Sequence, residues 1–209
     1  MIDKVNHIKY AITGIGTDVG KTVVSAILAE ALEASYWKPV QAGDLDNSDS
    51  IKIGYYTSKV KVLPEAFKLS EPMSPHAAAE IDGIKIVKDD VQIPKVDGNL
   101  IVEGAGGVMV PLNKDGFTFA DAIESWNLPT IIVSRHYLGS INHSLLTAEV
   151  LKHRNVHVVG FIFVGDENKA TEEIILKSTG LPMLARIPIT DQLDRKFIVD
   201  QASKIKLKL

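Results

Sequence analysis

The chain contains no cysteine. That excludes disulfides, thiolate metal sites and cysteine nucleophiles, and it suits a reducing, cytoplasmic setting. Apolar runs of the roughly 18–20 residues needed to span a bilayer are also missing, so no membrane helix is expected. Charge of either sign is in small excess only: the formal net charge is −3, which gives no reason to expect a nucleic-acid or membrane partner. Internal repeats and low-complexity tracts are absent. The opening Met1-Ile2-Asp3-Lys4-Val5-Asn6-His7 is polar and lacks the apolar core of a signal peptide.

What is present is ordinary for a globular protein: 45% apolar and 23% charged residues over 209 positions. That length supports one α/β domain with a sizeable core, expected to span residues 1–209. Short apolar runs alternate with amphipathic stretches. The runs Lys9–Thr13, Ser35–Lys38, Leu100–Val102, Thr130–Val133, Val156–Val164 and Met183–Ile187 mostly lack in/out alternation, as strands buried on both faces of a parallel sheet do. Between them, Lys21–Ala34 places Val24, Ile27, Leu28, Ala31 and Leu32 at helical spacing. Phe117–Trp126, Ser140–Arg154 and Thr171–Ser178 also predict helices. Ser74-Pro75 predicts a helix start, Thr171 a cap and Gly180 a stop. Asp44–Ser50 is polar and predicts a loop, and Lys85–Gly98 gives no pattern. The expected fold class is α/β, a three-layer α/β/α sandwich with a mostly parallel central sheet of the P-loop NTPase type.

The strongest local signal is Gly14-Ile15-Gly16-Thr17-Asp18-Val19-Gly20-Lys21-Thr22. It follows a strand pattern and opens a helical one, so backbone N–H groups and a helix N-terminus point at an anion. Lys21 would reach the β/γ-phosphates, and the Thr22 hydroxyl would bind Mg2+. The first glycine stands one residue early for the common spacing, because position 15 is isoleucine. Asn99-Leu100-Ile101-Val102-Glu103 is an apolar strand ending in an acid, a Walker B pattern with Glu in place of Asp. Strand ends gather ligands in open α/β sheets, and Gly104-Ala105-Gly106-Gly107 lets backbone come close. Asp49 is a second candidate carboxylate, although alone it is another loop acid. Lys38 ends a strand before Pro39, whose ring favours an extended Lys38. On the residues alone, a lysine there serves a site or the surface equally well.

Together these blocks resemble the dethiobiotin synthetases. The resemblance rests on Gly14–Thr22, Lys38-Pro39-Val40, Asn47-Ser48-Asp49, Glu71-Pro72-Met73-Ser74-Pro75-His76, Val102–Gly107 with Pro111-Leu112, Leu138-Gly139-Ser140-Ile141-Asn142-His143, and Ile187-Pro188. They occur in the family's order over about residues 8–190. It implies the conversion of 7,8-diaminononanoate, CO2 (or bicarbonate) and ATP into dethiobiotin, ADP and phosphate, through a carbamate and a carbamic–phosphoric anhydride. It implies a homodimer with the substrate site at the interface, and Mg2+ as cofactor with ATP as co-substrate. By the same resemblance Lys21, Lys38 and Thr17 serve catalysis, while Thr22, Asp49 and Glu103 hold Mg2+. Asp18, Val19, Gly20, Val23 and Gly106 line the nucleotide, joined by Asp166 and Pro188. Ala42, Gly106, Gly107, Leu138, Ser140 and Asn142 serve the diamine substrate. An anionic carbamate needs no strong base, so His76 and His143 are expected to be structural hydrogen-bonders.

The match departs in places. Gly165-Asp166 stands where the family commonly has an Asn that reads adenine, which leaves the base choice open. Gln41-Ala42-Gly43 lacks the usual small hydroxyl residue, and the segment before Leu100 is short. A P-loop switch of the chromosome-partitioning or septum-placement type would carry a lysine at position 16, which is glycine here. Amidotransferases acting on cobalamin precursors would need a glutaminase domain for which there is no room. A relic that binds without turnover would not be expected to keep Lys21, Lys38, Thr22, Asp49 and Glu103.

Overall fold

Runs of Val, Ile and Leu that pair on both sides must be covered on both faces, and the fold does this with two helical layers. A computed structural model describes residues 7–205; the polar start and the last residues, within the alternating Lys204–Leu209, lie outside the described residues. Six parallel strands form the central sheet: β1 (Lys9–Gly14), β2 (Ser35–Trp37), β5 (Leu100–Gly107), β6 (Thr130–Arg135), β7 (Val158–Val164) and β8 (Met183–Ile187), in the order β2-β5-β1-β6-β7-β8. Two three-residue strands, β3 (Val40–Ala42) and β4 (Phe67–Leu69), pair in parallel beside it.

Helix α1 (Lys21–Ala31) packs on α2 (Asp49–Tyr56) and on α7 (Arg195–Ala202). Helix α5 (Ser140–His153) packs on α4 (Phe119–Trp126) and α6 (Lys169–Thr179). A further helix, α3 (Pro75–Ile81), touches β3 and β4. Ile12, Ile27, Leu28, Tyr36, Leu100, Ile101, Phe161 and Phe163 are among the fully buried side chains between the layers. Each such aliphatic side chain contributes about 1.5–3 kcal/mol relative to exposure.

Several sequence expectations need correction. Helix α1 stops at Ala31, three residues early. Glu33 takes a left-handed φ of 47°, while its N–H and that of Ala34 return to the carbonyls of Glu30 and Ala29, closing the helix before β2. Asn168, not Thr171, caps α6: its side chain accepts from the Thr171 N–H at 3.1 Å. The Ser74 hydroxyl does not cap α3, although Pro75 does open it; the hydroxyl lies 2.9 Å from His76 Nδ1. Asp44–Ser50 is not simply a loop. It holds a 3-10 turn at Leu45–Asn47, and Ser48 caps α2 by accepting from Ile51 N–H. The unassigned Lys85–Gly98 carries a 3-10 turn at Lys88–Val91. It is pinned where Asn113 and Trp126 donate to the carbonyls of the buried Ile86 and Val91, each at 2.7 Å.

Candidate functional site

The P-loop leaves the middle of the sheet. β1 lies between β5 and β6 and ends at Gly14; Gly20, with φ 95°, then starts α1. No side chain caps α1, so its first N–H groups stay available to an anion. Lys21 curls back over the loop and donates to the Gly16 carbonyl at 2.8 Å. The turn is thereby closed by a side chain from the first turn of α1.

β5 does not stop at Glu103. It runs four residues further, because the glycines keep the ladder going past the P-loop: Gly107 pairs with Gly14 after a register shift. Any Cβ at Gly106, whose φ is 63°, would lie 2.7 Å from Val110 Cγ2, so only glycine fits that bend. Glu103 therefore sits within the strand opposite Ile12 and is wholly buried. Its Oε1 accepts from the Thr22 hydroxyl at 2.8 Å, and its Oε2 from the Tyr36 hydroxyl at 2.9 Å.

Lys38 follows β2 and is 5% exposed. Its Nζ bonds Asp49 closely and lies 3.8 Å from Glu103 Oε1, so it stands in a buried charge cluster on the cavity wall and not on the surface. Asp49 opens α2, and Lys52 one turn on approaches it at 3.7 Å. Burial works against the Lys38 ammonium, but Glu103 and Asp49 outweigh it and hold its pKa above the ordinary lysine value. Burial also opposes the Asp49 carboxylate, and Lys38 outweighs it, so its pKa lies below the ordinary value. Lys21 goes the other way. Burial lowers it to about 8, with Glu103 pulling it up and Lys38 adding to the fall.

These groups open onto a cavity of about 750 Å³. Of the residues singled out from the sequence, Thr17, Asp18, Gly20, Lys21, Thr22 and Val23 line it, as do Lys38, Ala42, Asp49, Glu103 and Gly106. Its far wall is the Pro72–Pro75 block, held against Gly43, where a Cβ would fall on Pro72. Val19 is buried beneath the loop and Gly107 lies beside Gly16. The rest are elsewhere. Asp166 lines a separate cavity of about 270 Å³ with Arg135, His136 and Ile189, and Pro188 directly follows β8. Leu138 is fully exposed, Ser140 is buried at the start of α5 and Asn142 faces solvent. The Leu138–Asn142 turn is thus not part of the large cavity's lining in its own chain. His143 Nδ1 lies 2.8 Å from the Tyr137 hydroxyl, a structural contact like that of His76.

Sequence reasoning missed Tyr36, Gln41 and Lys52. Tyr36 shares a strand face with Lys38 at period two, a signal that was available. Gln41 is buried on the cavity wall, donates to the Gly43 carbonyl at 2.9 Å and receives the Asp49 N–H at 3.4 Å, a role that only the fold reveals.

An AAA-domain family model matches residues 9–196. The chain is 50% identical over 202 residues to the ATP-dependent dethiobiotin synthetase BioD of Christiangramia forsetii, covering 96% of this chain and 97% of that one. It is 47% identical to the enzyme of that name from Cytophaga hutchinsonii, over 94% and 96%. Among solved structures it resembles a ParA family ATPase from Chlorobium tepidum (TM-score 0.61, 14% identity, 95% and 100% covered) and the cell division ATPase MinD of Pyrococcus furiosus (TM-score 0.54, 16% identity, 95% and 98% covered), which establishes the three-layer P-loop fold alone. Taken with near-complete coverage at up to 50% identity, the likeness settles the family: the chain belongs to the ATP-dependent dethiobiotin synthetases.

Proposed function

We propose that the chain is a Mg2+-dependent ligase that joins CO2 to 7,8-diaminononanoate and closes the ring of dethiobiotin, coupled to conversion of ATP to ADP and phosphate. The observation that carries this reading is the convergence of Lys21, Lys38, Thr22, Asp49 and Glu103 on one cavity beside an uncapped helix start. Thr22, Asp49 and Glu103 offer only hard oxygens, which suit Mg2+. When bound, the ion supplies Lewis-acid charge next to the transferring phosphoryl group.

The chain's own residues account for the rest. One amine of the diamine adds to CO2 and loses a proton, giving a carbamate. A carbamate oxygen attacks the γ-phosphorus, and ADP leaves with the electrons of the broken P–O bond. The second amine attacks the carbonyl carbon of the mixed anhydride, expels phosphate and loses a proton as the ring closes. Lys21 and Lys38 face the negative charge that builds up during transfer, with Thr17 beside them on the wall. Ammonium groups fixed in place before the reaction stabilise such charge strongly. Positioning of an anionic nucleophile replaces base catalysis. Asp18, Val19, Gly20, Val23 and Gly106 are assigned to the phosphates and sugar, and Asp166 and Pro188 to the base. Ala42 and Gly107 are assigned to the diamine.

The enzyme is read as a cytoplasmic homodimer in which Leu138, Ser140 and Asn142 of one protomer receive the substrate's distal carboxylate at the other's cavity. Two observations support this: the turn stands outside the cavity of its own chain, and Leu138, Ile141 and Leu146 expose apolar surface around it. The start of α5 can hold the carboxylate with backbone N–H groups and no arginine.

Phosphate release with Mg2+ and bicarbonate, with and without 7,8-diaminononanoate, across ATP, GTP, CTP and UTP tests the reading. Release that requires the diamine is expected. Release indifferent to the diamine, or none with any nucleotide, overturns it.

A further inference from the structure

Tyr36 is fully buried, yet its ring ends on a carboxylate. The two oxygens of Glu103 have different neighbours. Oε1 accepts from Thr22 at 2.8 Å and lies 3.8 Å from Lys38 Nζ. Oε2 takes the Tyr36 hydroxyl at 2.9 Å and no other hydrogen bond among the described residues. Tyr36 and Lys38, two apart, leave the same face of the chain at β2 and bracket the carboxylate between them. The phenol O–H donates to a carboxylate oxygen, which can only accept.

We propose that Tyr36 is a positioning residue of the metal corner: it anchors Glu103 Oε2 so that the carboxylate presents Oε1 alone to Thr22 and a divalent cation. This rests on the reading that Thr22, Asp49 and Glu103 form the Mg2+ site. Removing the hydroxyl leaves a charged, buried acceptor unpaired. The carboxylate then turns to other donors, and the Thr22 corner loses its fixed geometry. Partners that orient metal ligands in this way typically govern 10- to 100-fold in metal affinity.

Tyr36→Phe keeps the ring and removes only the oxygen. Mn2+ binding, followed by electron paramagnetic resonance in the presence of a non-hydrolysable ATP analogue, reads the effect without turnover, and Mg2+ competition gives its affinity. The expected result is roughly 10- to 100-fold weaker metal binding in Tyr36→Phe, unchanged nucleotide affinity without metal, and kcat recovered at saturating Mg2+. In a Glu103→Gln background the same change should have no further effect on metal affinity, because Tyr36 acts through the carboxylate. That pair of variants has no buried charge at this position, so it carries the test even if Tyr36→Phe alone does not fold. Metal affinity equal to the wild type, or an additional loss in the Glu103→Gln background, overturns the proposal. If the wild-type protein itself binds no Mn2+ with nucleotide, the metal reading fails instead.

Discussion

Replacing Lys38 by methionine tests whether the buried charge cluster is organised as described. The change keeps most of the stem and removes one charge from a side chain that is 5% exposed. Two carboxylates lose their main counterion. Glu103 is wholly buried and Asp49 largely so, and the remaining cation near Asp49, Lys52, is 3.7 Å away and half-exposed. Breaking a buried pair on one side costs about 3–5 kcal/mol. Asp49 reaches the cavity and keeps some hydration, so the lower end applies, about 3 kcal/mol. At this chain length each kcal/mol moves Tm by about 2–4 °C, so the metal-free variant should melt about 6–12 °C below the wild type.

Mg2+ should then act differently on the two proteins. If Mg2+ takes Asp49 as proposed, in the wild type it would have to displace the Lys38 ammonium, whereas in Lys38→Met it would fill a vacant charge. The Mg2+-induced rise in Tm should be larger in the variant, while turnover at saturating Mg2+ and ATP should fall at least ~100-fold, the scale of losing one fixed charge donor. Differential scanning fluorimetry with and without Mg2+, plus diamine-dependent phosphate release, measures both. A variant that melts within about 2 °C of the wild type and turns over near-normally would show that Lys38 is neither the counterion nor the phosphoryl partner argued above.

Lys21 sits at about 8 because it is buried; it is charged below that pH and neutral above it. Nucleotide affinity measured without metal should therefore weaken as pH rises past 8, by roughly tenfold at pH 9, and a Lys21→Met protein should lack that slope. Glu172 is held below the ordinary glutamate value: burial opposes its charge, and Arg186 and His136 outweigh the burial. Its contribution is complete above the unfolded value of about 4.3 and disappears as pH falls through the folded one, so Glu172→Gln should lower Tm most near pH 7 and match the wild type in strong acid. Asn142→Ala should raise the KM for 7,8-diaminononanoate more than that for ATP; equal rises would remove the Leu138–Asn142 turn from the substrate site.

The six runs were legible because most are rich in Val, Ile and Leu, as strands covered on both faces must be, and all six form the central sheet. β3 and β4 were not legible: three residues each carry no period. Helix α2 hid behind a polar start and buries only Ser50 and Ile53, too few to mark a stripe. Helix α7 is as short and equally thinly buried. The phosphate loop was readable because glycine and lysine there answer to local backbone geometry. The role of Lys38 was not, since it depends on β5 lying between β1 and β2 and bringing Glu103 beside it. Non-adjacent strands become neighbours in this sheet, and no local pattern records that.

The same arrangement explains why the cluster is built from matched charges. Asp18, Asp44 and Lys52 also line the cavity, but within the buried cluster Lys21 and Lys38 contribute two positive charges and Asp49 and Glu103 two negative ones, so that cluster is balanced before any substrate enters. A divalent cation alone would leave it with two excess positive charges, and a triphosphate alone with several negative ones, each unfavourable at low dielectric. Entering together they largely cancel. On the proposed reading, Mg2+ held by Thr22, Asp49 and Glu103 would free the Lys38 ammonium from Asp49 when an anion is at hand to receive it. Until then the Lys38–Asp49 ion pair would keep the lysine over the cavity and off the phosphates. The same event that brings in the phosphoryl group and the carbamate would then release the lysine to them.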